Sequence, residues 1–583
     1  MKKTIIPVLL SLCFFMSCGA CQKVENKNIT TGTAIIQNIT LTLNKACYSP
    51  GETITFTSDK ALSGAIHVRY RYLSQIIEDK EITGKTWTWI APSTDFKGYL
   101  AEVYLKNKYT EKIIGSIGID VSSDWKRFPR YGFLSSFGHM SSDEMKNIIS
   151  NLCRYHINGL QFYDWHCDHH KPLAGTVENP ASSWLNIASR MTYRSTIDGY
   201  IAEAKKQNMR SMFYNLCYGA LKNAADDGVK EEWYIFSDAT HTNKYTLSLS
   251  APFKSSIYLT NPGNEEWLNY MVKRVKEVYD VYGFDGFHID QVGINGVYDS
   301  QGQIVNLPEG FGKFINKMHE AFPDKYNVFN AVAGFGQSNI AASNVDFLYN
   351  EVWEKEAYFS DLKTIIDNNT IYSKGKLNTI FAAYMNYNLA ENKGTFNTPG
   401  VLMTDAVMFA IGGAHLELGE HMLGKEYFPN SNLSMSPLLK QSLISYYDFL
   451  VAYQNILRDG GSFNDAQTTC TNTSSTIVQW PPQAGKVISL GKKLSDKQVI
   501  HLFNFKNATH LSWRDMDGTQ AEPLLVKSMP LKIMTAQTPK KIWAATPDNE
   551  GRIYQELDFT SEQGFVSLTL PVLKYWTMIV LEY

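Results

Sequence analysis

The chain has 583 residues, of which 44% are hydrophobic and 13% aromatic, and its formal net charge is −2. This length exceeds one compact domain, for which about 150 residues is typical. The near-zero charge leaves no basic excess to neutralise a phosphate backbone, so nucleic acid is excluded as an expected partner.

The amino terminus has the pattern of a secretory signal. Two lysines precede an apolar run over residues 5–16, and small residues and cysteines follow it. This pattern predicts a signal peptide over residues 1–21, too short for a spanning helix. Cys18 and Cys21 each follow a small residue, so either is a candidate for acylation, and cleavage without a lipid is the alternative. We expect an exported protein, either a lipoprotein of the cell envelope or a secreted one, with a membrane as partner only through this anchor.

The next two segments differ in pattern. Residues 22–34 are polar and predict a tether, whereas residues 35–123 contain short runs in which apolar and polar residues alternate. Residues 53–57 and 65–70 are examples, and turn-forming residues separate such runs. Alternation with a period of two and regular turns is typical of a β-sandwich, so we predict an immunoglobulin-like sandwich over residues 35–123.

Residues 124–460 alternate strand-like runs with amphipathic helices. Ser141 and Glu144 form a potential capping box at the start of the first helix. Repeated strand–helix units over this length predict a (β/α)8 barrel. A doubly wound open sheet is the rival, but no glycine-rich phosphate loop opens any helix. The eight predicted strands are 131–137, 157–163, 211–214, 283–290, 326–332, 345–349, 377–384 and 414–418.

Helical periodicity stops after Gly460 and Gly461. Strand-like runs at 499–505, 566–570 and 578–581 predict a second β-sandwich over residues 461–583. The predicted fold class is therefore α/β, with a catalytic (β/α)8 TIM barrel between an amino-terminal and a carboxy-terminal β-sandwich.

The cysteines beyond the signal region are odd in number and widely spaced, which is not the pattern of a disulfide framework. We therefore predict free, buried thiols at Cys47, Cys153, Cys167, Cys217 and Cys470.

Two acidic residues stand at the carboxyl ends of predicted barrel strands, where barrel enzymes place their catalytic groups. Asp290 ends strand four and Glu351 follows strand six. A pair of carboxyl groups facing each other suits glycosidic cleavage, in which one attacks as a nucleophile and the other donates a proton. By strand parity His288 shares the face of Asp290. Trp353 lies two residues beyond Glu351, and we predict that His288 and Trp353 contact substrate.

Other acidic residues are weaker candidates. Asp285 and Asp346 lie near strand starts, and we predict structural roles for both. Glu417, at the end of strand eight, is the reserve carboxylate, and Asp164 and Asp168 come next.

The loop over residues 165–170 contains three histidines, a cysteine and an aspartate. Adjacent ligands in one short loop rarely share an ion, and no Cys/His pair follows at zinc-site spacing. We therefore predict no metal, and a loop that hydrogen-bonds sugar hydroxyls at the barrel mouth. A solvated loop is the alternative.

Five segments together resemble glycoside hydrolase family 66, which contains dextranases and cycloisomaltooligosaccharide glucanotransferases. The resemblance runs in order through the whole barrel. It implies a retaining mechanism with Asp290 as nucleophile and Glu351 as general acid/base. The segments are 124–133, 161–166, 283–290, 346–353 and 415–419, and the substrate-contacting positions that the resemblance implies are Tyr163, Asp164, His166, Asn386 and Glu417.

The resemblance further implies endo-hydrolysis of α-1,6-linkages in dextran, releasing isomaltooligosaccharides. We expect a monomer without a cofactor. The cyclising transferases of the family carry a carbohydrate-binding insertion within the barrel region, for which this sequence leaves no room, so we expect hydrolysis. Two alternatives remain. One is a cyclising transglycosylase, and the other is a surface lipoprotein that binds α-glucan without cleaving it.

Overall fold

The computed structural model describes residues 38–107, 110–549 and 552–583. The predicted signal peptide, both candidate acylation sites and the tether lie outside the described residues. Within them, no helix combines the length and apolar character that crossing a bilayer requires.

The amino-terminal strands form two antiparallel sheets that face each other. Alternating residues of each strand are buried, as the period-two pattern predicts. Aromatic rings fill the interior, where Phe56 stacks on Trp87 with ring centroids 5.3 Å apart and Tyr70 stacks on Trp89 at 4.2 Å. The strands are Leu41–Leu43, Thr53–Leu62, Ile66–Tyr72, Gln75–Glu81, Gly84–Ile90, Lys97–Lys106 and Glu111–Val121.

A parallel sheet of eight strands in sequence order follows within the described residues. The backbone N–H of Phe133 in strand one donates to the carbonyl of Leu418 beyond strand eight at 3.1 Å, which closes the sheet into a barrel. The predicted barrel is therefore confirmed, and the open doubly wound sheet is excluded. In order, strands one to eight are Tyr131–Leu134, Gly159–Phe162, Arg210–Leu216, Gly286–Asp290, Tyr326–Val332, Leu348–Val352, Thr379–Ala383 and Gly413–Leu416.

A helix follows each barrel strand. The capping box at Ser141 and Glu144 is confirmed, and the Asn264 side chain caps the third helix by accepting from the Trp267 N–H. The helices are Ser142–Arg154, Arg194–Lys206, Glu265–Val281, Leu307–Ala321, Gln337–Ala341, Phe359–Tyr372, Thr398–Ala410 and Pro437–Ala452, with the short Gln454–Leu457 after the last.

Short elements occupy the loops around the barrel. The small strands are Ser183–Leu185, Met191–Tyr193, Gly219–Ala220, Thr246–Leu247, Ile257–Leu259, Gly394–Thr395 and Leu433–Ser434. The 3-10 turns are Trp125–Arg127, Ala224–Asp227, Glu231–Trp233, Glu354–Glu356 and Leu389–Glu391.

The parity of strand four fixes what points into the barrel. Gly286 pairs with Met212 and Tyr326, and a Cβ added to it would collide with the Tyr326 carbonyl oxygen. His288 stacks on Tyr131 inside the barrel. Asp290, two residues further on, therefore reaches the mouth on the same face.

The carboxy-terminal strands again form two sheets, and their facing apolar side chains build a separate core. The strands are Ser462–Asn464, Thr468–Cys470, Ile477–Gln479, Val487–Lys493, Lys497–Asn504, Val526–Met534, Lys541–Ala545, Gln555–Glu556, Phe559–Glu562, Phe565–Leu573 and Trp576–Glu582.

The thiols are free, as predicted. Three of them are buried, whereas Cys167 and Cys470 are half-buried.

Candidate active site

Asp290 and Glu351 face each other across strand five at the barrel mouth. One amide nitrogen of Asn330, in strand five, donates to Asp290 Oδ1 at 2.8 Å and to Glu351 Oε2 at 2.9 Å. These two oxygens are therefore at most about 6 Å apart, so the two carboxyl groups are close enough to act on one glycosidic bond. The structure thus brings together the two carboxyl groups that strand position predicts.

Three donors surround the Asp290 carboxylate. The Tyr214 hydroxyl donates to Oδ2 at 2.7 Å, and Asn330 and the backbone N–H of Gln291 donate to Oδ1, each at 2.8 Å. Desolvation raises the pKa of Asp290, and the three donors oppose that rise because they stabilise the ionised form.

Glu351 has a different environment. It is buried, and it accepts hydrogen bonds from the Tyr384 hydroxyl at 2.7 Å and from Asn330. Burial, followed by the charge of Asp290, raises the pKa of Glu351 to about 7. A carboxyl group with this pKa holds its proton near neutral pH beside an ionised partner, as a general acid must.

A third carboxyl group lies near the pair. Asp164 is buried, and burial together with the charge of Asp290 raises its pKa to about 8. Its backbone has a left-handed φ of 49°, and its carbonyl accepts from the Asn186 amide at 2.7 Å. The raised pKa favours the protonated form of Asp164 near neutral pH, in which its carboxyl group can donate a hydrogen bond. Strain at such a residue is characteristic of functional sites.

Aromatic side chains form the walls of the mouth. The half-buried Tyr163 stacks on Phe428 with centroids 4.2 Å apart, and its hydroxyl donates to the Glu426 carbonyl. The half-buried Trp353 lies 5.5 Å from the ring of Tyr384. Tyr163 and Trp353, which are both predicted to contact substrate, thus form part of the walls around the carboxyl pair.

His288 and His166 are buried beside the site rather than exposed in it. His288 lies one layer below Asp290, against Tyr131 and Tyr214, and burial lowers its pKa to about 3. It supports the floor of the site as a neutral ring. His166 Nε2 lies 3.0 Å from His169 Nδ1, and burial lowers the pKa of both histidines.

Two predicted substrate contacts have other surroundings. Asn386 is fully buried, with a φ of 53°; its amide donates to the Asp515 carbonyl at 2.6 Å and accepts from Asn397 N–H at 2.8 Å. Glu417 lies on the outer side of strand eight, where it accepts from the Tyr447 hydroxyl at 3.0 Å. The geometry therefore assigns Asn386 to anchoring a loop, and it does not bring Glu417 to the carboxyl pair.

The other acidic candidates lie at the opposite end of the barrel or in the loop over residues 165–170. Asp285 and Asp346 accept from the backbone N–H groups of Ser211 and Asn327 and so join neighbouring strands, as predicted. Asp168 pairs with Lys254 at 3.1 Å.

The carboxy-terminal segment also contributes to the wall. The buried Arg514 donates to Glu354 Oε1 at 2.7 Å, and its guanidinium lies over the rings of Trp353 and Tyr387. Sequence reasoning missed Arg514, because nothing local shows that a loop between distant strands reaches the barrel mouth.

Three further residues of the site were missed although a signal for them exists. Asn330, Tyr214 and Tyr384 occupy inward positions of strands five and three and of the segment after strand seven. All three could have been found by searching the strands beside each candidate carboxylate for polar residues at inward positions near the strand end.

The barrel is closed, and the carboxyl groups at the ends of strands four and six share one hydrogen-bond donor. A pair of carboxyl groups at this position suits the chemistry of a glycoside hydrolase. The sequence model of glycosyl hydrolase family 66 matches residues 43–580. The chain belongs to this family, as its sequence motifs predict, and it is an enzyme of the glycoside hydrolase and transferase class.

Several proteins are similar over most of the chain. A cycloisomaltooligosaccharide glucanotransferase of Niallia circulans is 25% identical over 744 aligned residues, covering 100% of this chain and 75% of that protein. A dextranase of Streptococcus salivarius is 23% identical, covering 85% of this chain and 68% of that protein. The crystal structure of a cycloisomaltooligosaccharide glucanotransferase of Paenibacillus sp., complexed with cycloisomaltoheptaose, matches with a TM-score of 0.86 at 24% identity over 94% of this chain and 100% of that chain, which shows the shared fold.

Proposed function

We propose that the chain is a retaining endo-hydrolase that cleaves α-1,6-glucosidic linkages in dextran and releases isomaltooligosaccharides. The observation that carries the proposal is the shared donor Asn330, which holds one oxygen of Asp290 and one of Glu351 within about 6 Å of each other, as the closely spaced pair of a retaining enzyme requires. Membership of family 66 and the similar dextranase support the choice of substrate.

The reaction follows from the two environments. A carboxylate oxygen of Asp290 attacks the anomeric carbon while the glycosidic C–O bond breaks and the leaving oxygen takes the proton of Glu351. The Glu351 carboxylate then removes a proton from water, whose oxygen attacks the same carbon and releases Asp290 from the glucosyl ester. Each cycle restores the charged Asp290 and the protonated Glu351.

The surrounding groups suit a sugar. Protonated Asp164 offers a donor to a hydroxyl of the substrate, and the rings of Tyr163 and Trp353 offer apolar faces. Apolar walls with a few oriented polar groups are the usual composition of a ligand site.

Azide rescue tests the two roles separately. Asp290→Ala and Glu351→Ala should each lose activity on dextran, by about 10²–10⁴-fold for the loss of the acid/base group. With a glucoside whose leaving group needs no proton, azide should restore turnover of Glu351→Ala with retained configuration and of Asp290→Ala with inverted configuration. The same configuration from both variants, or wild-type activity of Glu351→Gln on dextran, contradicts the assignment.

A second candidate is cyclising transfer, in which a sugar hydroxyl replaces water. The similar glucanotransferases favour it. Against it, the alignment with the first spans 744 positions for the 583 residues of this chain, so that relative carries insertions that this chain lacks. Incubation with dextran, pullulan and starch, followed by product sizing, separates the cases. Linear isomaltooligosaccharides support hydrolysis, cyclic products support transfer, and binding without products supports the non-catalytic alternative.

We also propose that the protein is exported and anchored by a lipid at its amino terminus, because the signal pattern ends in cysteines that follow small residues. Palmitate labelling of Cys18→Ser and Cys21→Ser variants tests this. Loss of the label in one variant identifies the acylated cysteine, and an unlabelled wild-type protein contradicts the anchor.

A further inference from the structure

Three side chains of metal-ligand type meet between the barrel and its outer helices. Asp405 belongs to the helix Thr398–Ala410, His415 lies in strand eight, and Glu417 follows that strand. Each is at most 1% exposed, and one potential ligand atom from each lies within 4.8 Å of the others. This cluster faces outward, whereas the carboxyl pair of the active site faces the barrel interior.

The outward direction of this cluster follows from the register of the barrel strands. His415 pairs with Phe381, which pairs with Asn350. Asn350 accepts a hydrogen bond from Asn369 in the helix Phe359–Tyr372, so this set of positions faces the helices. Glu351, the next residue along strand six, belongs to the opposite set.

The imidazole of His415 is fixed in one orientation. Its Nε2 lies 2.8 Å from the carbonyl oxygen of Ala383. A carbonyl can only accept, so Nε2 carries a hydrogen and Nδ1 faces the two carboxyl groups. Nδ1 lies 2.8 Å from Asp405 Oδ1 and 3.4 Å from Glu417 Oε2. A remote N–H held by a carbonyl is the usual support of a histidine that ligates a metal through its other nitrogen.

The carboxyl groups have unused oxygens. The Tyr447 hydroxyl donates to Glu417 Oε1 at 3.0 Å and so leaves Oε2 directed into the cluster. Among the described residues, no N–H or hydroxyl group donates to Glu417 Oε2 or Asp405 Oδ2, and the two carboxyl groups can hydrogen-bond each other only when one of them holds a proton. Buried acceptors without a donor are rare in native proteins, because each loses its hydration without compensation.

The cluster requires positive charge. Within the described part of the chain, the ion-pair partner of both Asp405 and Glu417 is His415, and neither pairs with a lysine or arginine. Both carboxyl groups are fully buried and lie beside each other. Two adjacent carboxylates are therefore stable here only with bound protons or with a bound cation.

We propose that Asp405, His415 and Glu417 bind one divalent transition-metal cation of the zinc and manganese class, with a structural role. A nitrogen ligand disfavours calcium and magnesium, which prefer oxygen, whereas mixed carboxylate and imidazole ligands suit zinc, manganese and iron. Ligands about 2.0–2.2 Å from a tetrahedral cation lie roughly 3.3–3.6 Å apart. The separation of 3.4 Å already fits this range, and the separation of 2.8 Å must widen by about half an ångström.

The position of the cluster gives the cation a structural task. The helix that carries Asp405 is buried from Gly400 to Ala410, and its Thr404 hydroxyl donates to the Trp513 carbonyl of the carboxy-terminal segment. A cation enclosed here joins this helix to strand eight, and it enters while the protein folds. Such a site contributes its binding free energy to folding.

Metal analysis and refolding test the proposal. Untagged protein purified without chelator should contain about one equivalent of a transition metal by mass spectrometry, and refolding from denaturant with chelator should lower the yield or the melting temperature. Asp405→Asn and Glu417→Gln keep the side-chain shapes but remove the charges, so both should lose the metal and the chelator effect. Asp285→Asn, which changes a half-buried carboxyl group at a strand start outside the cluster, is the control and should retain both.

Three results would overturn the proposal. The first is wild-type protein with less than about 0.1 equivalent of metal that refolds equally well with chelator. The second is loss of the metal from Asp285→Asn as well as from Asp405→Asn. The third is a chelator effect that persists in Asp405→Asn. In the first case protons fill the cluster, and Asp405→Asn should then be at least as stable as wild type at neutral pH.

Discussion

Asn330 uses one amide nitrogen to hold Asp290 at 2.8 Å and Glu351 at 2.9 Å. Each donated bond favours the ionised form of its acceptor, so Asn330 both spaces the two groups and limits the rise of their pKa values. A hydrogen bond to a charged group contributes about 1.5–3 kcal/mol. Asn330 is thus the residue on which the geometry of the pair depends.

We expect Asn330→Ala to lower kcat on dextran by about 10–100-fold, from the loss of one such bond, with a smaller change in KM. Both limbs of the pH–rate profile should move to higher pH, because both carboxyl groups lose a hydrogen-bond donor that stabilises the ionised form. Asn350→Ala is the control: it removes an outward amide beside Glu351 and should affect stability but not the profile. An unchanged profile in Asn330→Ala would show that its amide does not tune the pair.

The pKa of Glu351 predicts a pH dependence of both stability and activity. Folding raises this pKa from 4.5 to about 7. The contribution of Glu351 to stability is therefore fully present below about pH 4.5 and is lost as the pH rises through 7. Activity that needs the protonated acid should fall through the same upper range.

We expect Glu351→Gln to be inactive on dextran yet more stable than wild type above pH 7, because glutamine resembles the protonated acid. Melting temperatures of both proteins between pH 4 and 9 measure this, with Glu426→Gln, an exposed change, as control. Equal slopes for wild type and Glu351→Gln would mean that Glu351 titrates near its ordinary pKa.

Strand position alone predicts that Asp290 and Glu351 meet at the barrel mouth, because barrel strands bring their last residues to one rim. The neighbours that set the pKa values of these groups were not predicted. Tyr384, for example, follows strand seven, and its contact with Glu351 depends on register. The motifs that contain Asn386 and Glu417 did not predict where these side chains point, because a motif gives the position of a residue in the chain but not the direction of its side chain.

At the scale of elements, the eight strands were predicted to within a few residues because buried parallel strands are short apolar runs. Not every helix could be delimited in this manner. The helix Thr398–Ala410 is buried on all sides and therefore lacks the polar face that reveals a helix in sequence. The small strands beyond strand three were also missed, since pairs such as Gly219–Ala220 are too short to have a period.

Strand four depends on close packing at its start. A methyl group at Gly286 would collide with the carbonyl oxygen of Tyr326 in strand five, and backbone cannot move aside as a side chain can. We expect Gly286→Ala to destabilise the protein by about 1–3 kcal/mol and to lower kcat, because the displaced strand carries Asp290.

Gly283→Ala provides the matched control, because its added methyl group meets only Ile201 at an ordinary 3.5 Å. Thermal unfolding and dextran hydrolysis of the two variants should differ clearly. If Gly286→Ala were as stable and active as Gly283→Ala, the close contact between strands four and five would not be a constraint.

At the scale of the whole molecule, the barrel makes close contacts with the chain on both sides of it. A Cβ atom added at Gly118, in the last amino-terminal strand, would collide with the Asp448 carbonyl oxygen of the final barrel helix. On the other side, the Trp513 indole donates to the Glu356 carbonyl beside strand six. Sequence patterns cannot show such contacts, because the contacts join residues far apart in the chain.

One of these contacts is a fully buried ion pair. Asp120, in the amino-terminal sheets, accepts from Arg130, at the start of the barrel, and from Gln454, at its end, both at 2.8 Å. Asp120→Ala leaves the Arg130 guanidinium buried without its charge partner, which costs about 3–5 kcal/mol. Because the pair joins two regions, we expect circular dichroism and tryptophan fluorescence to report the same lowered unfolding midpoint in urea.

The control for this change is Asp280→Ala, which breaks the exposed pair of Lys276 and Asp280 and should cost at most about 0.5 kcal/mol. Asp120→Asn should fall between the two, since it keeps acceptor geometry but removes the charge. If Asp120→Ala moved the midpoint no further than Asp280→Ala, the ion pair would not couple the regions. If only one of the two probes moved, the amino-terminal sheets would unfold independently of the barrel.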